Sequence, residues 1–170
     1  MQSNRQLIID AQPADNIWSY LDEEAGLDDT PSIISLDRLE AESDSLRQRN
    51  APLGVIIRAG EKQGEDIHRV APFLDMLQVV ALEFPIYRNG RGFSSARILR
   101  QELGFAGEIR ATGDVLHDQW QAMARCGINA FEIDAKISLD EFTQALGELS
   151  DAYQPAADQQ RGILWRRHGL

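Results

Sequence analysis

The sequence contains a single cysteine, Cys126, so an internal disulfide, a cysteine-based metal cluster and an iron–sulfur centre are all excluded within these 170 residues. Long apolar runs are missing as well: the longest are strand-sized, so no stretch reads as a membrane span. The start, MQSNRQLIIDAQ, is polar and has no extended apolar core, which argues against a secretory signal. Neither GxGxxG nor the Gly-Lys-Ser/Thr ending of a phosphate-binding loop occurs. The histidines at 68, 117 and 168 have no metal-ligand spacing. An excess of positive charge is also lacking. The net charge is −10, and nonspecific nucleic-acid binding needs side chains that neutralise phosphates. These absences make the cytoplasm the expected compartment, with no metal and no cofactor of the chain's own, and with neither nucleic acid nor membrane as a partner.

What is present is an ordinary globular composition, 43% hydrophobic and 26% charged, at a length suited to one domain. The charge is unevenly spread. Residues 1–50 carry eleven acids against four bases, whereas residues 83–125 carry five acids against six bases. Such a distribution favours an acidic protein able to receive a small anion at its centre, or one whose acids simply keep it soluble. Three regions are expected: an acidic extension over 1–30 packed on the core, an α/β domain over 31–150, and a tail over 151–170.

Residues 5–10 read as a strand at an edge or in a hairpin, and Trp18 and Tyr20 as anchors that fasten the extension. Short apolar runs then predict strands at Ser32–Leu36, Leu53–Arg58, Val79–Phe84, Glu108–Thr112 and Asn129–Ile133. Between them lie helical patterns over 37–50, 67–77, 94–103 and 116–126, with Pro72 interrupting the second. Ser138 with Glu141 forms a capping box that opens a further helix through about Ser150. Five strands alternating with five helices predict a three-layer, flavodoxin-like (receiver-like) sandwich with a mainly parallel five-stranded sheet ordered 2-1-3-4-5, with Glu83 and Thr112 at its carboxyl edge. The alternative is a partial β/α barrel.

Two loops follow the central strands. In Arg88-Asn89-Gly90-Arg91-Gly92 the glycines permit close backbone approach and the guanidiniums offer forked donors to an oxyanion. Ser94 and Ser95 would then open a helix whose free amides favour an anion. The plain alternative is a tight turn with solvent-facing arginines. In the second loop, Arg110-Ala111-Thr112-Gly113-Asp114, Asp114 either caps the next helix or faces the same crevice as an acceptor or base. Glu83 ends an apolar strand and so needs a partner, for which Arg110 or Arg88 would serve, or a site. Cys126, in an apolar helix end, reads as a small core residue.

The segments PLGVIIR (52–58), VALEFPIYRNGRGFSSARILRQELGFAGEIRATGDVLHDQ (80–119), MARCGINAFE (123–132) and AYQPAAD (152–158) resemble the bacterial domain-of-unknown-function 934 family. The resemblance implies a role in sulfite reduction, since members are often encoded beside sulfite reductase and are described as oxidoreductases. It departs from the family's usual pattern at Ile86 and Asn89, where Lys and Asp are usual, and at His117, where Arg is usual. The matching positions carried over are Glu83, Arg88, Gly90, Arg91, Gly92, Arg97, Arg110, Gly113, Asp114, Asp118 and Gln119.

Two roles are therefore expected to compete. One is an accessory protein of assimilatory sulfite reduction that docks on sulfite reductase or its electron donor through Phe93, Trp120 and Trp165. The other is an oxidoreductase or sulfur-oxyanion enzyme working with a borrowed cofactor. In that role Arg88, Arg91 and Arg97, with Gly90, Gly92, Ser94 and Gly113, would hold the anion, and Glu83 or Asp114 would handle protons.

Overall fold

The computed structural model describes residues 4–60, 62–84 and 90–147. Arg88, Asn89 and Trp165, together with the expected tail, lie outside these residues. Among the described residues, no helix is long and apolar enough to cross a membrane.

Among the described residues, eight strands form one mixed sheet. They are β1 (Arg5–Ile9), β2 (Gln12–Ala14), β3 (Ser19–Tyr20), β4 (Ser32–Ser35), β5 (Leu53–Ile57), β6 (Val79–Phe84), β7 (Glu108–Gly113) and β8 (Ala130–Asp134). Their spatial order is β2-β1-β8-β7-β6-β5-β4-β3. From β3 to β8 all pairings are parallel, while β1 runs antiparallel to β8 and to β2. The strands expected from the sequence are all found, but their order is sequential, so the flavodoxin-like order 2-1-3-4-5 does not hold.

That order has a physical consequence. Successive right-handed crossovers moving in one direction place every helix on the same face of the sheet. One continuous apolar cluster shows this, joining Val55, Leu82, Ile109 and Phe131 of the sheet to Ile67, Leu99, Trp120 and Phe142 of the helices. Among the described residues, the opposite face carries a small cluster, Ile33, Ile56, Val79 and Ala81, against which Trp18 packs. Only four residues link β2 to β3, yet these are the two outer strands of the sheet. Five extended Cα steps reach about 18 Å at most, whereas eight flat strands would separate their edges by roughly 34 Å. The sheet must therefore curl. The expected alternative, a partial β/α barrel, describes this half-barrel.

The crossover helices are short and often irregular. The region expected as one helix over 37–50 contains two pieces, α1 (Leu36–Ala41) and α2 (Ser43–Leu46), the first capped by Ser35, whose hydroxyl accepts from the Arg38 amide. α3 (Gln63–Val70) begins four residues earlier than expected, and Pro72 falls in the 3-10 turns Ala71–Met76 that continue it. α4 (Arg91–Arg97) passes into a π-helical segment, Ile98–Glu102. A 3-10 turn, His117–Gln119, leads into α5 (Trp120–Arg125). α6 (Leu139–Gly147) is opened by the capping contact expected of Ser138, whose Oγ accepts from the Glu141 amide at 3.1 Å.

The N-terminal extension is part of the sheet. β1 and β2 form the anticipated hairpin, turned by Asp10 and Ala11 at positive φ. β1 is an inner strand rather than an edge, because β8 lies on its other side. The chain then passes over the concave face as a strap, seats Trp18 on the small apolar cluster and adds β3 beside β4.

Candidate functional site

In β/α architectures, ligands gather where parallel strands end, since each strand delivers its last side chains to a common rim. Here the curl encloses a cavity of about 700 Å³ on the concave face. Arg58, Glu83, Thr112 and Gly113 reach it from the carboxyl ends of β5, β6 and β7, and Glu132 from β8. Arg5 borders it from β1, and Asn16, Trp18 and Tyr20 from the strap.

Strand periodicity puts these side chains together. In β7 the buried Ile109 and Ala111 point to the helices, so Arg110 and Thr112 take the concave side. β8 repeats the pattern with Phe131 and Ile133 against Glu132. Register then aligns the ends of the strands: Glu83 lies opposite Thr112, as expected for residues of one carboxyl edge.

The deeper part of the site is a charge network in which, among the described residues, one buried donor, Arg110 Nη2, is left without a partner. Glu132, 8% exposed, accepts from the Tyr20 hydroxyl at 2.6 Å, from Arg110 Nη1 at 3.0 Å and from Thr112 Oγ1 at 2.9 Å. Arg110 is fully buried and also donates to Glu108 at 2.5 Å and to Asn16 at 3.1 Å. Burial works against the Arg110 charge, but Glu108, Tyr20 and Glu132 outweigh it and hold the guanidinium above its ordinary range. Burial of its hydroxyl, then the negative charge of Glu132, pushes the Tyr20 phenol well above the usual tyrosine value. Tyr20 is therefore a proton donor to Glu132 at any ordinary pH.

The rim is different in character. Glu83 Oε2 accepts from the Ala59 amide at 2.9 Å, while the contact of Oε1 among the described residues is a 3.4 Å one with Arg58 Nη1. The Arg58 side chain is 62% exposed and leaves most of its donors uncommitted. Arg5 is exposed and makes no ion pair with any described residue. Two guanidiniums thus share the rim with one carboxylate. Gln63 Nε2 donates to the Glu83 carbonyl at 2.8 Å and ties the first turn of α3 to the end of β6.

Several expected site residues stand elsewhere. Among the described residues the partner of Glu83 is Arg58, not Arg110, which is turned towards Glu108, Glu132 and Asn16. α4 starts at Arg91, so Ser94 and Ser95 lie inside the helix and do not open it; Ser95 is buried. Gly92 is needed for packing: a Cβ there would come within 2.6 Å of the Phe84 ring. Gly90 faces open space, and Arg97 reaches back to Cys126 Sγ at 3.9 Å. None of Gly90, Arg91, Gly92, Ser94 or Arg97 borders the cavity, whereas Glu83 and Gly113 do. Asp114 caps no helix; its amide donates to the Phe84 carbonyl at 2.8 Å. Trp120 is fully buried against Phe142 and His117, so it offers no surface to a partner. Phe93 packs edge-on against Phe84. Cys126 is a buried core residue, as its setting suggested.

The residues that sequence reasoning passed over are Arg5, Asn16, Arg58 and Glu132, with Trp18 and Tyr20 taken only as anchors. Glu132 carried the same signal as Glu83, a carboxylate inside an apolar strand. Arg58 and the strap gave no such signal, because only the curl brings them to the cavity. Among the described residues, no group of three or more metal-ligating side chains converges.

A comparison with curated proteins finds no match. The sequence pattern of the family described as bacterial protein of unknown function (DUF934) matches residues 55–164, which takes in β6 to β8, the rim residues Arg58 and Glu83, and Arg110, Thr112 and Glu132 beneath them. The chain belongs to this family.

Proposed function

We propose that the protein is an accessory factor of assimilatory sulfite reduction, that it binds an oxyanion-bearing ligand in the concave cavity, and that it works with sulfite reductase or that enzyme's electron donor. The observation that carries the binding site is the pair of guanidiniums, Arg5 and Arg58, with uncommitted donors at the rim of a 700 Å³ cavity. Forked guanidinium donors match the geometry of oxyanions. The strand ends, rather than the glycine loop before α4, supply the site in this reading. The sulfite link rests on what the resemblance to the family implies and on nothing in the geometry of the site.

Docking follows from charge. The acidic 1–50 region would steer the protein towards a basic face in a salt-dependent manner. An enzymatic role would instead make Glu83 the proton carrier, since its Oε1 is only weakly engaged.

Calorimetric titration with sulfite and with phosphate tests the site. Wild-type protein should bind at least one of them, and Arg58→Ala should weaken that binding at least fivefold. Equal heats from the two proteins, or no heat from either, would remove the oxyanion site. Co-purification with sulfite reductase at low salt, lost at high salt, is expected for the partner; no complex at any ionic strength would end the accessory reading.

A further inference from the structure

The cavity is far larger than a sulfite or phosphate ion needs. Ligand clefts of roughly 300–1,000 Å³ hold drug-sized molecules, and this one, at about 700 Å³, falls in that range. A four- or five-atom oxyanion at the rim would leave most of it empty. The rest of the wall is suited to a flat ring. Trp18 sits on Ile33, Ile56, Val79 and Ala81, and the part of its indole left uncovered borders the cavity. Tyr20 borders it too, a residue 38% exposed with its hydroxyl fastened to Glu132. Both aromatic side chains come from the same strap, which brings them in above the strand ends.

Charge places the ligand's two ends. In the depth of the site Arg110 lies between two carboxylates, Glu108 and Glu132, so that region has an excess of negative charge that disfavours an anion, although Arg110 Nη2 is buried there without a hydrogen-bond partner among the described residues. Among the described residues, the rim holds Arg5 and Arg58 against the carboxylate of Glu83. A ligand with its ring against the strap and its negative group at the rim meets both conditions.

We infer that the cavity takes a ring-bearing phosphate or sulfate ester of about mononucleotide size, with its ring stacked on Trp18 and its ester oxyanion held by Arg58 and Arg5. This rests on the oxyanion site proposed above and adds the class of molecule that carries the oxyanion. Aromatic platforms hold planar rings with little regard to their substituents, so affinity should depend more on the ring being present than on its identity.

The test compares adenosine 5′-monophosphate, 4-nitrophenyl sulfate, inorganic phosphate, sulfate and adenosine by calorimetry on the full chain. At least one ester should bind tenfold or more tightly than its inorganic ion and than adenosine, and the tighter of the two esters identifies the oxyanion. Trp18→Leu should abolish that gain, while Trp18→Phe, which keeps a ring, should retain most of it; Arg58→Ala should weaken both esters. Esters that bind no better than the inorganic ions would overturn this inference and leave the oxyanion site standing. If neither esters nor ions bind, both fall. An ester gain that survives in Trp18→Leu would also overturn it, since the ring would then lie elsewhere.

Discussion

The hydroxyl of Tyr20 donates to the carboxylate of Glu132 at 2.6 Å across the concave face, although the two belong to strands that stand five places apart in the sheet. Five inter-strand steps amount to roughly 24 Å in a flat sheet. The bond exists because the sheet curls and the strap brings β3 round towards β8. It joins the N-terminal strap to the buried ion network, so it links the closure of the half-barrel to the charges beneath the cavity.

Tyr20→Phe should therefore loosen the strap without unfolding the core. Glu132 keeps Arg110 and Thr112 as donors, so the expected loss in urea denaturation is about 1 kcal/mol. Amide exchange should quicken at Ser19 and Leu21, whose N–H groups bond Pro31 and Ile33. Unchanged exchange at both amides would mean that the clasp does not hold the strap.

Alkaline pH should act through the same contact. The folded pKa of Tyr20 lies above its unfolded value, about 10. A raised pKa means that the fold favours the neutral phenol. The stabilisation is complete below the unfolded value and is lost as pH rises beyond it towards the folded pKa. Tyrosinate absorbance should show one of the three tyrosines resisting ionisation until the protein unfolds, and this resistant component should vanish in Tyr20→Phe.

The buried Arg110–Glu132 pair predicts a larger effect. Glu132→Ala strips a partner from a fully buried guanidinium, leaving only Glu108 as counter-charge. Breaking a buried pair by removing one member costs about 3–5 kcal/mol, and the surviving Glu108 contact should hold the loss to the lower end. Glu42→Ala, which removes the partly exposed partner of Arg38, should cost about 1 kcal/mol or less. Thermal unfolding of the two variants checks the ranking, and equal midpoints would contradict it.

The glycines give a fourth check. Gly113 has φ +83, and a Cβ there would collide with the Phe84 carbonyl, so Gly113→Ala should destabilise by more than about 2 kcal/mol. Gly92→Ala would press on the Phe84 ring and cost about 1–3 kcal/mol. Gly90 has open space and φ −72, so Gly90→Ala should stay within about 0.5 kcal/mol of wild type. A large loss at Gly90 would return that position to the list of constrained sites.

Much of this was legible in the chain. Short apolar runs marked β4 to β8, and the capping box at Ser138 marked α6, because both are local patterns set by backbone geometry. Sequence alone also identified Glu83 as a carboxylate in need of a partner and put it at one sheet edge with Thr112. The alternation in EIRAT and AFEID carried a further message: one apolar and one polar face mean helices on one side only, which a doubly wound sheet cannot have. Strand order was not legible, since each βα unit reads the same whichever neighbour it joins. Only the tertiary structure chose the sequential order, and with it the curl that carries Tyr20 and Trp18 over Arg58, Arg110 and Glu132. The sequence determined which strands would form and which side chains each would offer; the closing of the sheet decided which of those side chains would meet, because contacts between residues over a hundred positions apart depend on curvature summed over many strands.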